Sequence, residues 1–142
     1  MRKIRRIGIH HSGTRDSKTV SWSAIRKYHI KHNNWRDIGY HFGIELIGSE
    51  YQTLVGRQLT QVGAHIRRFN EDSIGICLIG DFNKTKVPAI QLRKTAELCG
   101  SLMRVFDIPF KEIYLHSDLA ATDCPGKNFP GESFFDEIAH YI

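Results

Sequence analysis

The chain has 142 residues, 41% of them apolar and 25% charged, with 20 Lys and Arg against 15 Asp and Glu for a net charge of +5. That size supports one domain with its own core, and the ordinary balance of apolar and charged residues excludes a disordered chain. No apolar run approaches the ~20 residues that cross a bilayer, and three cysteines cannot pair completely, which argues against a disulfide framework.

The opening Met1-Arg2-Lys3-Ile4-Arg5-Arg6 is basic, but Ile7-Gly8-Ile9 is far too short for the apolar core of a signal peptide, so no export signal is expected. Residues 5–11 read as the first strand, with Ile7 and Ile9 alternating inward. Residues 12–19 read as a loop. Ser21 is a natural N-cap for a helix through about His32, with Trp22, Ile25, Tyr28 and His29 near one face and Asn33-Asn34 ending it.

Residues 37–46 form the next predicted strand. A Gly48-Ser49 turn then leads into a strand over 51–55, so the pair reads as a hairpin. Residues 62–70 are a polar loop. Residues 73–79 are almost continuously apolar, as expected of a central strand covered on both faces. After a loop over 81–87, Pro88 suits the start of a helix reaching about Phe106, with Ile90, Leu98, Leu102, Met103 and Phe106 towards the core. Residues 111–116 are predicted as the last central strand. Gly131 and Glu132 lead into a closing helix carrying Phe134, Phe135, Ile138 and Tyr141. Strands and helices interleave, which predicts an α/β fold (mixed α+β). A single central mixed β-sheet is flanked by helices, in one domain over residues 1–142.

The sequence pI near 9.2 raises the question of nucleic acid. The basic residues are scattered, apart from residues 2–6 and the pair Arg67-Arg68, and no DNA- or RNA-binding pattern accompanies them. A nucleic-acid partner is not expected. A positive surface also suits the anionic envelope of a bacterium, through attraction that salt would screen.

The chemistry-bearing stretch is His116-Ser117-Asp118-Leu119-Ala120-Ala121-Thr122-Asp123-Cys124-Pro125-Gly126, which follows a short apolar run. Cys77 lies in a strand-like run and Cys99 on a helix, so both read as core. Cys124 is the one cysteine in a loop among polar residues. Imidazole and thiolate are both good zinc ligands, and strand-end loops are where side chains converge on an ion. Taken alone, a buried cysteine serves as readily as a small hydrophobe. A third ligand is best sought at Ile9-His10-His11-Ser12, where strand alternation sends the two histidines to opposite faces and lets only one join.

Five blocks in order give these residues a common meaning: Ile9-His10-His11-Ser12, Asp37-Ile38-Gly39-Tyr40-His41-Phe42, Gly63-Ala64-His65, Ser73-Ile74-Gly75-Ile76, and the 116–126 loop. Together they resemble the type 2 N-acetylmuramoyl-L-alanine amidases, a family that includes phage amidase lysozymes and animal peptidoglycan recognition proteins. The resemblance implies one zinc ion held by His10, His116 and Cys124, with His11 as buried structure or support. It also implies catalytic roles for Tyr40 and Thr122. His29, Arg57, His65 and Asn70 become the residues that hold glycan and stem peptide.

Thr122 departs from the phage lysozymes, which have lysine there, and agrees with the catalytic recognition proteins. A hydroxyl donates a hydrogen bond but brings no positive charge. The cysteine favours catalysis, since recognition proteins that only bind often carry serine in its place. The implied activity is hydrolysis of the amide between N-acetylmuramic acid and L-alanine in bacterial peptidoglycan. Such an enzyme would be made in the cytoplasm and would act, as a monomer, on the wall after release or non-classical export. A phage or prophage endolysin fits, as does a secreted wall-lytic enzyme; wall-recycling relatives usually have aspartate as the third ligand. The alternative reading is a non-catalytic module that binds peptidoglycan or muropeptides. Some phage amidases also bind a polymerase, and nothing in this sequence favours or excludes that.

Overall fold

The computed structural model describes residues 1–14 and 21–142; most of the loop expected over 12–19 lies outside the described residues. Five strands form one sheet: β1 (Arg6–His11), β2 (Phe42–Ile47), β3 (Glu50–Val55), β4 (Ser73–Leu78) and β5 (Ile113–Leu115). Their order is β3-β2-β4-β1-β5. β1 runs parallel to β4 and β5, β2 runs parallel to β4, and only β2 and β3 are antiparallel, as the predicted hairpin. The mixed sheet is flanked by helices, as the sequence predicts.

Alternation along the strands gives the sheet two unlike faces. On one, Ile7, Ile9, Ile44, Ile74, Ile76 and Leu78 are fully buried. They pack against α2 (Ala89–Phe106) and α4 (Gly131–Ala139), through Leu92, Ala96, Cys99, Leu102, Phe134 and Ile138. The other face carries Gly8, His10, Gly43, Ser73, Gly75 and Cys77. There Trp22, at the start of α1 (Trp22–Lys31), lies directly on Gly43 and packs with Ile38, Cys77 and Ile79. The glycines lower the floor of this face, so that bulky rings sink towards the backbone. Both Cys77 and Cys99 are core residues, as expected.

Ser21 caps α1 through its side chain, which accepts from the N–H of Ala24 at 3.3 Å. The buried Glu45 supports the same terminus by accepting from the N–H of Trp22 at 3.2 Å, and a carboxylate there also suits the helix dipole.

Several expectations need correction. The strand predicted over 37–46 begins only at Phe42. The five residues before it bond mostly to loops: Ala64 N–H donates to Gly39 O and Arg57 N–H to Tyr40 O, while His41 N–H alone reaches the sheet, at Gly75 O of β4. The last strand is a three-residue edge strand rather than a central one. A 3-10 turn, Phe110–Glu112, precedes it, and His116 already opens the short helix α3 (His116–Leu119). Ile90 is 55% exposed; the core face of α2 uses Gln91 and Thr95 instead. Gln91 Nε2 donates to the carbonyls of Ile44 and Ile79, both at 3.0 Å, and so ties the helix to the sheet. Tyr28 does share a face with Ile25 and His29, as expected, and on that face it is exposed and stacks on His32. Tyr141 lies beyond the end of α4, although it still packs on the core.

Candidate metal centre and catalytic cleft

β1 and β5 run in register with Ile9 opposite Leu115, so the next residue of each chain, His10 and His116, emerges at the same end of the sheet. Their rings lie 4.7 Å apart. Cys124 returns to this point because the loop after α3 is closed by Ser117 N–H donating to Cys124 O at 2.8 Å. The ligand atoms of His10, His116 and Cys124 all lie within 4.8 Å of one another. His11, on the opposite face, packs on Phe82 and accepts from its N–H at Nδ1, 3.1 Å away. His11 is part of the packed structure.

The donor set fits zinc on two observations. His116 Nδ1 is buried without a hydrogen-bond partner, a costly state for a polar atom that a cation would relieve. Burial, with the neighbouring histidines, holds His10 well below the usual histidine range, and burial lowers His116 as well. Both rings are therefore neutral, as ligands must be. Burial pushes the Cys124 thiol up to about 11, offset in part by the N–H of His11, which points at Sγ from 3.4 Å. A cation bound between these groups would favour the thiolate instead.

Tyr40 sits beside this cluster, its ring 5.2 Å from that of His10. Burial, then the nearby Cys77 and Cys124, raises its pKa well above the ordinary phenol, so it keeps its proton at neutral pH. Thr122 is exposed and shapes the cysteine's turn: its Oγ1 accepts from Cys124 N–H at 3.2 Å. The structure thus brings His10, His116, Cys124 and Tyr40 together, with Thr122 on the loop that carries the thiol.

The four residues expected to hold substrate are placed differently from one another. His29, on α1, accepts from Gly39 N–H at Nδ1 and lies 5.9 Å from Tyr40, ring to ring. It borders a groove of about 350 Å³ that Ser12, Thr14, Ile25 and Tyr28 also line. Arg57 is buried, and its guanidinium donates to the carbonyls of Ile38, Val62 and Asp37. Asn70 Oδ1 accepts from the N–H groups of His65 and Ile66, at 2.8 and 2.9 Å. His65 lies beneath the metal cluster, with Nδ1 2.8 Å from His10 Nε2 and Nε2 3.0 Å from Ser73 Oγ. In the structure Arg57, Asn70 and His65 spend these polar atoms inside the protein, and only His29 borders the open groove.

Sequence reading does not single out Ser73 or His41. The signal for Ser73 is its period of two with Gly75 and Cys77, which puts its hydroxyl on the site face. His41 is fully buried beneath the loop that holds His65, and it accepts from Gly75 N–H at Nδ1. No local pattern marks it.

The chain is similar in sequence and fold to known proteins. The family model Amidase_2, described as N-acetylmuramoyl-L-alanine amidase, matches residues 1–127. The chain is 33% identical over 125 residues to the endolysin of Enterobacteria phage T3, covering 84% of this chain and 78% of that one. It is 31% identical over 130 residues to peptidoglycan-recognition protein SC2 of Drosophila melanogaster, across 87% and 69% of the two. The solved structure of N-acetylmuramoyl-L-alanine amidase LysC from Clostridium intestinale URNW matches with a TM-score of 0.84 at 30% identity, covering 96% of this chain and 86% of that chain. With its sheet, its site face and a family match over most of its length, the chain belongs to the N-acetylmuramoyl-L-alanine amidase family.

Proposed function

We propose that this chain is a zinc-dependent N-acetylmuramoyl-L-alanine amidase that cuts the amide between N-acetylmuramic acid and L-alanine in bacterial peptidoglycan. The observation that carries the reading is the convergence of His10, His116 and Cys124 within 4.8 Å, with Tyr40 beside them. What zinc supplies in such a site is acidified water and a polarised carbonyl. The chain's own part is to orient and to donate. Tyr40, protonated at neutral pH, would turn its hydroxyl from Cys77 to donate to the charge that develops on the amide oxygen. Cys124 is held in line by the N–H of His11 and by the turn that Thr122 closes; among the described residues the Thr122 hydroxyl only accepts, so its proton would be available to substrate. The groove beside His29 is where a stem peptide or sugar would lie, with His29 as its polar contact.

In this reading the whole of residues 1–142 acts as one monomeric domain. The closing helix α4, which lies wholly beyond the matched residues, packs on α2 in the same core. The enzyme would reach the wall after release from the cell that makes it, as an endolysin does. A second reading, a muropeptide-binding module without turnover, draws on the similarity to a recognition protein at nearly the same identity as to an endolysin. The test is release of free alanine amino groups from purified peptidoglycan, with zinc and after chelation. Chelator-sensitive release supports the amidase. A protein that binds muropeptide and zinc yet releases no amino groups is the binding module.

A further inference from the structure

The hydrogen bonds beneath His10 run in a single consistent direction. Ser73 Oγ lies 2.6 Å from the carbonyl oxygen of Phe69, which can only accept, so the one hydroxyl proton of Ser73 is committed there. Ser73 Oγ is also 3.0 Å from His65 Nε2. With its own proton engaged it must accept, which places a proton on Nε2 of His65. The two nitrogens of the His65 ring face only Ser73 and His10, and among the described residues no carboxylate bonds to it; an imidazolium there would lack a counter-charge, so the ring is neutral and its Nδ1 carries a lone pair. That lone pair faces His10 Nε2 at 2.8 Å, and His10 therefore donates from Nε2. The remaining lone pair of His10 is on Nδ1, the nitrogen that lies 3.8 Å from Cys124 Sγ. The alternative tautomer would set two protons, or two lone pairs, against each other in a buried contact.

The surroundings hold this chain of bonds in place. Gly8 and Gly75 are partners across β1 and β4, and His65 lies over them. A Cβ on Gly75 would stand 2.6 Å from the ring of His65, and one on Gly8 would stand 2.6 Å from Ile66. Asn70 fixes the backbone at both His65 and Ile66.

We propose that Ser73 and His65 are positioning residues that lock His10 in the Nε2–H tautomer and aim its Nδ1 at the metal position. The metal half of this inference rests on the zinc reading above; the tautomer half stands without it. Neither residue touches the cation. They act through His10, as the partners of metal-bound histidines do.

The experiment is long-range proton–nitrogen NMR of the histidine rings in the full chain, metal-free and zinc-loaded, paired with zinc affinity measured against a chromophoric chelator. The parent is expected to carry the proton of both His10 and His65 on Nε2 in either state. Ser73→Ala removes the acceptor for His65, so both rings should populate the other tautomer in the metal-free protein. Its zinc affinity should fall about 10–100-fold, the usual cost of losing such a partner. His65→Leu fills similar space without an acceptor and should lose affinity likewise. His65→Asn, which presents an oxygen where Nδ1 stood, should recover most of it.

A proton on Nδ1 of His10 in the metal-free parent overturns the inference, and this measurement needs no variant to fold. So do well-folded Ser73→Ala and His65→Leu proteins that bind zinc as tightly as the parent. If the parent binds no zinc at all, the zinc reading fails, while the tautomers of the two rings still decide the positioning chain.

Discussion

Gly75 lies so close beneath His65 that a methyl group on the glycine would stand 2.6 Å from the ring's Cγ. A strand with no side chain at that point gives up some rigidity and packing; here the vacated space is filled by the imidazole. Gly75→Ala forces the ring to move or the strands to part. Overpacking of this kind costs about 1–3 kcal/mol. Urea denaturation of the metal-free protein should show that loss, and zinc affinity should fall with it as His65 leaves His10. An alanine tolerated in both measurements would mean that the ring has another place to lie.

Each member of the candidate metal cluster is separable from its neighbours in the fold. His116→Ala and Cys124→Ala should lose bound zinc and hydrolysis while keeping the parent's far-ultraviolet circular dichroism, because neither side chain belongs to the core cluster. His10→Ala should do the same. His11→Ala should instead keep zinc and lose stability, by about 1–3 kcal/mol for leaving the N–H of Phe82 without its acceptor. Metal analysis of the four purified proteins decides the matter. Zinc retained by His10→Ala and lost from His11→Ala would reverse the two roles.

Tyr40 distinguishes turnover from recognition. Tyr40→Phe preserves the ring that packs beside His10 and Trp22 and deletes only the hydroxyl. If that hydroxyl stabilises charge as the amide breaks, kcat should fall by roughly a hundredfold or more, the scale of one lost oxyanion donor. Zinc content and muropeptide affinity should barely change. Thr122→Val should be milder in its chemistry, yet it also removes the acceptor for Cys124 N–H, so some loss of zinc affinity accompanies it. Hydrolysis at the parent rate by Tyr40→Phe would take the phenol out of the mechanism.

Acid should destabilise the metal-free fold in a defined window. Burial lowers His41 to about 4 from an ordinary value of 6.5, with Arg2 and Arg57 pushing the same way. Below about pH 6.5 the unfolded chain takes up a proton that the folded chain refuses, so stability falls as pH drops towards 4. His41 alone accounts for roughly 3 kcal/mol across that range. His10 and His65 are lowered in the same sense and deepen the loss. Denaturant midpoints recorded between about pH 4 and 8 test this. A flat profile would mean that these histidines are protonated inside the folded chain.

Much of this architecture is legible in the residues themselves. Ser21 before Trp22 and Pro88 before Ala89 mark two helix starts by local chemistry, and both stand as expected. The cluster of His10, His116 and Cys124 follows from a family pattern whose blocks survive in order. What escaped depends on contacts distant in sequence. Residues 37–41 alternate like a strand, but apart from His41 N–H, which reaches Gly75 of β4, their backbone bonds go to the loops near Gly56 and Ala64. Periodicity of apolar residues turns α2 towards Ile90, whereas the sheet offers two carbonyls, those of Ile44 and Ile79, to which Gln91 donates. Arg57, His65 and Asn70 are polar loop residues, a class that ordinarily faces water. Their inward bonds go to partners distant in the fold: Arg57 to the carbonyl of Ile38, and His65 to Ser73 over the space that Gly8 and Gly75 leave on one side of the sheet.

The parallel register that aligns Ile9 with Leu115 has a consequence for when the protein becomes armed. An unfinished chain carries His10 but lacks His116 and Cys124, the other two members of the cluster. The full ligand set exists only after β5 has docked beside β1 and the following loop has folded back to His11. On the zinc reading, metal capture is therefore the closing act of assembly, and a cation present at a thousand times its dissociation constant would add about 4 kcal/mol to the finished state alone. On the same reading, zinc loading would double as proofreading, since a copy that had not completed the sheet would lack the full ligand set.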